Sequence, residues 1–319
     1  MNRTALKIQT TPNQSLSELF HCQKEQTMKN FKTIEQIIAP PAPHMVGDGF
    51  RVNNFFPGTK YIGLKRMSPF FLLDYGAKVD YPPTDTPRGV GVHPHRGFET
   101  VTIAYKGKVA HHDSAGNSGV IGEGDVQWMT AASGVLHKEY HEKEWSKTGG
   151  AFQMVQLWVN LPAQYKMSTP KYQGIKHDKF GQYLLPNSQG VVEVIAGDYN
   201  GTKGPASTYT PIEMYNVRIK KGANVIFSLP EDFNTGFMVI EGTAIINDKT
   251  VHADHFVLFA NKGTDIIMKA PEDTVVLVLS GKPIDEPIVP YGPFLMNYKE
   301  DIMQAYEDLN NGKFGHLED

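Results

Sequence analysis

Short apolar or alternating runs, each closed by Gly, Pro, Asn or Asp, fill the middle of this chain: TVTIAYKGKVAHH, VIGEGDVQWM, FQMVQLWVNLP, GFMVIEGTAII, HFVLFANKG and TVVLVLSGK. Val, Ile, Phe, Tyr and Thr suit the pleated, half-buried surface of a strand, and turn residues at such regular intervals predict an all-β sandwich or barrel. No rhythm of strand, helix, strand is present. The 319 residues are enough for two such domains. A weak internal echo supports two copies: ETVTIAYKGKVAHHD resembles NTGFMVIEGTAIIND when Gly107 is laid on Gly242, an offset of 135 residues.

The stretch LPAQYKMSTPKYQGIKHDK, with two prolines and mixed polarity, is the expected linker, which places a boundary near residue 175. Residues 28–175 and 176–319 are then the two β-domains. Residues 1–27 are polar and aperiodic and are expected to form a disordered extension, with Met28 an alternative start. They lack the apolar core of a secretory signal, so a cytoplasmic protein is expected. At the other end, Ile302, Ala305, Tyr306 and Leu309 follow i, i+3, i+4, i+7 spacing, with Gly312 as a stop, and predict one amphipathic helix packed back on a domain.

A formal charge of −3 leaves no field for holding nucleic acid or an anionic membrane, and no apolar run is long enough for a membrane span. Cys22 is the only cysteine, which excludes thiolate-rich metal sites. Any bound metal must be held by imidazoles and carboxylates. His93 and His95, in GVHPHRGFETVTIAY, are two residues apart where an extended segment enters a strand, so both rings point to one face. His137 and Glu139, in ASGVLHKEY, repeat that spacing where an antiparallel sheet could return the chain. Three imidazoles and one carboxylate then converge on one divalent ion, with room for one or two further ligands; Fe(II), Mn(II), Ni(II), Cu(II) and Zn(II) all suit this donor set.

The remaining histidines carry weaker patterns. His111 and His112 are adjacent, so at most one faces inward. Glu99, four residues after His95, has the parity to orient an imidazole or to be a buried core carboxylate. Phe98, Trp128, Met129, Phe152 and Trp158 are expected in the core, with pocket walls as the alternative.

HPHRGFETVT at 93–102, DSAGNSGVIGEGDVQWMTAASGVLHKE at 113–139, QLWVNLP at 156–162 and GPFLMN at 292–297 resemble the pirin family, bicupins of the cupin superfamily, from about residue 30 to the C-terminal helix. The resemblance implies two cupin-type (jelly-roll) β-barrels in one chain, a metal in the first, and ligands at His93, His95, His137 and Glu139, the four residues also reached from spacing. Ala132 stands where the family usually has Gly, and Tyr75-Gly76 where an acidic-aromatic pair is common. In the second copy the offset lays Ser228 on His93, Pro230 on His95 and Asn234 on Glu99, so a metal-free barrel is expected there.

Members of the family are similar to quercetin 2,3-dioxygenases. The resemblance therefore implies oxidative ring opening of a planar flavonol by O2 with release of CO, Glu139 taking the substrate's proton and Fe(II) as the first expectation for the ion. The alternative it implies is an iron-dependent redox sensor that binds a protein partner without turnover.

Overall fold

A computed structural model describes residues 30–60 and 62–319, so the expectations for residues 1–27 and for Met28 lie outside the described residues. The chain is all-β, with two barrels, each a seven-stranded antiparallel sheet packed on a four-stranded one. In the first barrel the large sheet runs, in spatial order, Lys171–Ile175, Val126–Thr130, Phe98–Lys106, Gly150–Asn160, Phe70–Tyr81, Phe50–Phe56 and His44–Val46; the small one runs Gly89–His95, Val135–His141, Val109–Asp113 and Ser118–Ile121.

The second barrel repeats this order. Its large sheet is Ile34–Ile38, Phe256–Phe259, Asn234–Glu241, Thr274–Gly281, Ile212–Ile219, Gly190–Ala196 and Gly181–Leu184, and its small sheet is Asn224–Ser228, Asp265–Lys269, Thr243–Ile246 and Lys249–His252. Strands Phe98–Lys106 and Asn234–Glu241 occupy equivalent places, and each ends at a glycine with positive φ, Gly107 at 81° and Gly242 at 76°. The 135-residue echo is thus a structural repeat.

The ends of the chain cross over. Ile34–Ile38 pairs with Phe256–Phe259 and fills the place in the second sheet that Lys171–Ile175 fills in the first. Conversely, the C-terminal helix Lys299–Asn310 and the residues after it pack on the first barrel, where Ile302, Ala305 and Phe314 join Phe294, Met296 and Leu136. A second helix, Lys143–Thr148, is capped by the Glu142 side chain, which accepts from the amides of Glu144 and Trp145. It is a single short insertion that the strand pattern does not announce.

The two large sheets face one another, which explains why their strands lack a polar face. In FETVTIAYK, Val101, Ile103 and Tyr105 enter the core shared with Met238, Phe256, Leu258 and Leu277 of the second barrel. The alternate residues Phe98, Thr100, Thr102 and Ala104 are buried too, within the first barrel. Each large apolar side chain removed from water in this seam contributes about 1.5–3 kcal/mol. The second barrel's interior is mainly apolar, built on Val217, Phe227, Phe237, Ile246, Val257 and Met268, with the buried hydroxyls of Thr235 and Ser280 bonded to each other at 2.9 Å. The first barrel is different: an apolar end of Phe50, Val109, Phe152 and Met154 gives way to Thr102, Gln127, His137, Glu139 and His95.

Candidate metal centre

Strands Gly89–His95 and Val135–His141 are neighbours, and their register sets His137 directly opposite His93. The ring centroids of His93, His95 and His137 lie 4.2 to 4.8 Å apart, and one nitrogen from each falls within 4.8 Å of the other two. His95 and His137 are buried and His93 is half-buried. Burial, with the neighbouring His93, pushes His95 down to about 3. Burial also lowers His137 far below the usual imidazole range, with His95 and His93 adding to it. The neutral form that this favours is the one that can ligate a metal.

The hydrogen bonds fix which nitrogens are free. His93 Nδ1 lies 2.8 Å from the Gly91 carbonyl and His95 Nδ1 3.3 Å from the Pro293 carbonyl. A carbonyl only accepts, so both rings carry their proton on Nδ1 and leave a lone pair on Nε2. Both nitrogens of His137 are buried without any hydrogen-bond partner. An orphaned buried imidazole costs about 1–3 kcal/mol for each lost partner, and an ion among the three rings would take up the lone pair of one His137 nitrogen. The residues present therefore fit a divalent transition metal.

Glu139 lies two residues beyond His137, past a register shift in the pairing, and outside the group of three. Its carboxylate is held by two amides: Gln127 Nε2 donates to Oε1 and Gln156 Nε2 to Oε2, each at 2.7 Å, and Thr102 Oγ1 donates to Oε1 at 3.2 Å. Oε2 keeps a lone pair. Gln127, Gln156 and Thr102 have no counterpart in the sequence reading; the available signal was a polar residue at an inward position of otherwise apolar strands, VQWMT and FQMVQLWVN. Asp74 was likewise missed. It faces a small cavity of about 30 Å³ shared with His93, Glu139 and Gln156, and burial pushes its carboxyl up against the hydrogen bond from Asn54.

His111 is the inward member of its pair: fully buried, 5.5 Å from the His137 ring, and bonded to Asp113 at 3.2 Å. His112 turns out and meets the Tyr140 hydroxyl. Glu99 does not follow the parity of His93 and His95, because Gly97, at φ 88°, interrupts the strand between them. It shares the face of Val101, and its hydrogen bond is from Thr130 Oγ1, not to an imidazole. Phe98 and Trp158 stack at 4.2 Å and both rings touch His95, so these two are walls of the site, while Trp128 belongs to the seam between barrels.

At the equivalent place in the second barrel, Ser228 stands opposite Asp265 and donates to its carboxylate at 2.7 Å, and Pro230 follows. Ile267, two residues after Asp265, takes the position of Glu139, and the interior beyond it is apolar. No helix of the described residues is long and apolar enough to cross a membrane.

The model of the Pirin family matches residues 49–159 and that of the Pirin C-terminal cupin domain residues 214–315. A Pseudomonas aeruginosa protein named "Putative quercetin 2,3-dioxygenase" is 47% identical over 271 residues, covering 85% of this chain and 94% of its own. A pirin-like protein of Solanum lycopersicum is 36% identical over 259 residues, covering 79% of this chain and 84% of its own. A crystal structure of a quercetin 2,3-dioxygenase from Acinetobacter baumannii superposes with a TM-score of 0.85 at 44% identity, covering 90% of this chain and all of that one. With its repeated barrels and these relatives, this chain belongs to the pirin family of bicupins.

Proposed function

We propose that this chain is a metal-dependent, cytoplasmic dioxygenase that opens the ring of a flavonol such as quercetin with release of CO, and that His93, His95, His137 and Glu139 hold its metal. The observation that carries this reading is the convergence of three imidazoles, two with Nδ1 facing a carbonyl and one with both nitrogens orphaned. The names of relatives at 47% and 44% identity support the reaction class. When bound, Fe(II) or another divalent transition ion would supply a Lewis acid for the substrate's 3-oxygen and a centre for dioxygen chemistry.

The protein's own part is positional and acid–base. The Nδ1 protons of His93 and His95, committed to Gly91 and Pro293, aim the two Nε2 lone pairs. Glu139, with one lone pair of Oε2 uncommitted, would complete the ligand set and would accept the proton of the 3-hydroxyl. General base catalysis of this kind contributes about 10²- to 10⁴-fold. Gln127 and Gln156 keep the carboxylate in place as it changes role. Phe98 and Trp158 offer an aromatic surface beside His95 for a planar substrate.

One observation favours a second reading. The cavity beside His93 and Glu139, about 30 Å³, has room for a water or two, whereas sites for small organic ligands occupy about 300–1,000 Å³. A flavonol must therefore displace chain at the half-buried His93 side, and a protein that never does so is a metal-dependent regulator of a protein partner. Elemental analysis beside a quercetin assay separates the two. Loss of flavonol absorbance with CO release, abolished by chelation and restored by metal, supports the dioxygenase. Absence of turnover with Fe, Mn, Ni, Cu and Zn alike leaves the regulator.

A further inference from the structure

The strand that carries His93 holds one residue more than its neighbour. His137 pairs with His93 and Glu139 with Val90, so Gly91 and Val92 both stand opposite Lys138, a β-bulge. A bulge withdraws backbone groups from the ladder, and each of them then needs another partner. Here the two ends of one peptide unit are taken up by different side chains. The Gly91 carbonyl accepts from His93 Nδ1 at 2.8 Å, and the Val92 amide donates to Asp319 Oδ1 at 2.8 Å. A single peptide group therefore joins a carboxylate to one of the three imidazoles.

Asp319 reaches this peptide along a strap. After the C-terminal helix, Phe314 is buried beneath the Arg96 guanidinium, and its carbonyl accepts from Ser114 Oγ. The Glu318 carbonyl accepts from Lys138 Nζ at 2.6 Å, on the residue that faces the bulge. The strap thus passes strands Val109–Asp113, Val135–His141 and Gly89–His95 in turn, the order in which they lie in the small sheet. Gly91 admits its end: a Cβ there would stand 2.9 Å from Asp319 Oδ1.

A carboxylate on the amide pushes the peptide's electron density toward its carbonyl oxygen, which strengthens that oxygen as the acceptor for His93 Nδ1. A firmly held Nδ1 proton fixes the tautomer, aims Nε2 and raises its basicity. His93 depends on this more than the other two rings do. It is half-buried, whereas His95 packs against Phe98 and Trp158 and His137 is fully buried. We propose that Asp319 is a positioning residue for the metal centre, holding His93 in its ligating orientation through the Gly91–Val92 peptide. This rests on the reading that His93, His95 and His137 take a metal.

Calorimetric titration of the metal-free full chain with Ni(II) tests the affinity, and two-bond proton–nitrogen NMR spectra of the same metal-free protein read the His93 tautomer. Contacts around a ligating imidazole typically matter about 10- to 100-fold; this one is exposed and one peptide removed, so Asp319→Ala is expected to weaken Ni(II) about fivefold. In that variant the His93 proton, on Nδ1 in wild type, spreads over both nitrogens, and the melting temperature stays at the wild-type value. Asp319→Asn, which keeps an acceptor oxygen, recovers part of the affinity. Glu318→Ala removes the same charge from the strap but not the bond to Val92, and binds Ni(II) as wild type does. Unchanged affinity or unchanged His93 spectra in Asp319→Ala overturns the proposal. So does an equal loss in Glu318→Ala, which makes the effect one of net charge, or a melting temperature that falls with the affinity. If wild type takes up no Ni(II), the metal reading fails with it, and the spectra alone decide whether Asp319 orients His93.

Discussion

Arg96 and Asp308 are 212 residues apart in sequence and 2.9 Å apart in the fold, an ion pair buried between the turn that follows His95 and the C-terminal helix. The guanidinium is fixed twice more, by the Ser133 carbonyl at 2.7 Å and over the Phe314 ring at 4.6 Å. The C-terminal helix thus braces the segment carrying two of the three imidazoles. Removing one partner of a buried pair leaves an uncompensated charge and costs about 3–5 kcal/mol. Asp308→Ala is expected to lower the urea midpoint by the corresponding amount and to weaken metal binding. An unchanged midpoint would show that apolar packing alone seats the helix.

Hydrogen bonds from Lys313 and Gln304, followed by Arg96, pull Asp308 down to about 2, below an unfolded carboxyl near 4. A depressed acid contributes stability that is fully present above the unfolded value and disappears as pH falls through the folded one. Between pH 4 and pH 2, therefore, the brace should weaken in wild type. Acid unfolding followed by tryptophan fluorescence should show a transition in that window that Asp308→Asn lacks or shifts.

Ala132, in place of the family's usual glycine, has φ 42°, and its carbonyl accepts from the Gly97 amide at 2.8 Å. A side chain in this left-handed region is strained, whereas glycine adopts it freely. Ala132→Gly is expected to stabilise the chain by about 0.5–1 kcal/mol once the greater freedom of unfolded glycine is deducted. Thermal melts of the two proteins, run metal-free, measure the difference; a lower midpoint in the variant would refute the strain.

Much of this architecture is legible from residue patterns because strand alternation and turn chemistry are local. The runs flanking Gly107 and Gly242 announce equivalent strands, and the spacing of His93 with His95 needs only period two to place both on one face. What fails is whatever depends on register or on distant chain. The left-handed Gly97 reverses the parity that would have carried Glu99 to the imidazoles. Gln127 and Gln156 become recognisable only when their strands are set beside Thr102. Membership of Ile34–Ile38 in the second sheet, and of the C-terminal helix in the first barrel's surroundings, involves contacts more than two hundred residues apart, which no local pattern encodes.

His137 should report metal occupancy as stability. With both nitrogens buried and unpartnered, the metal-free protein bears a cost that binding through one of them reduces, and any ligand specific to the native state raises the melting temperature by mass action. At a hundredfold excess of free metal over its dissociation constant the gain is about 2.7 kcal/mol. Wild type should show a rise in melting temperature with Fe(II) or Ni(II) and its reversal by chelator. His137→Ala should show neither, and elemental analysis should find it metal-poor with an unchanged β circular dichroism spectrum. A metal-dependent rise of wild-type size in this variant would sink the assignment of the site.

Gln156 separates positioning from ligation. Its amide donates to Glu139 Oε2 at 2.7 Å, and within the same interior Gln127 serves Oε1 while receiving the Tyr172 hydroxyl at 3.3 Å. Gln156→Leu keeps the bulk of the side chain but removes the donor, so Glu139 loses one of its three hydrogen bonds, the one that holds Oε2. The three imidazoles are untouched by this change. Outer contacts of this type typically matter about 10- to 100-fold in activity or metal affinity. If Glu139 acts as the base, turnover of quercetin should fall in that range with metal content near wild type, because the imidazoles still hold the ion. Glu139→Gln should fall further, by about 10²- to 10⁴-fold. If Glu139 serves chiefly as a ligand, Gln156→Leu should instead lose metal in proportion to activity, and restoring saturating metal should restore the rate.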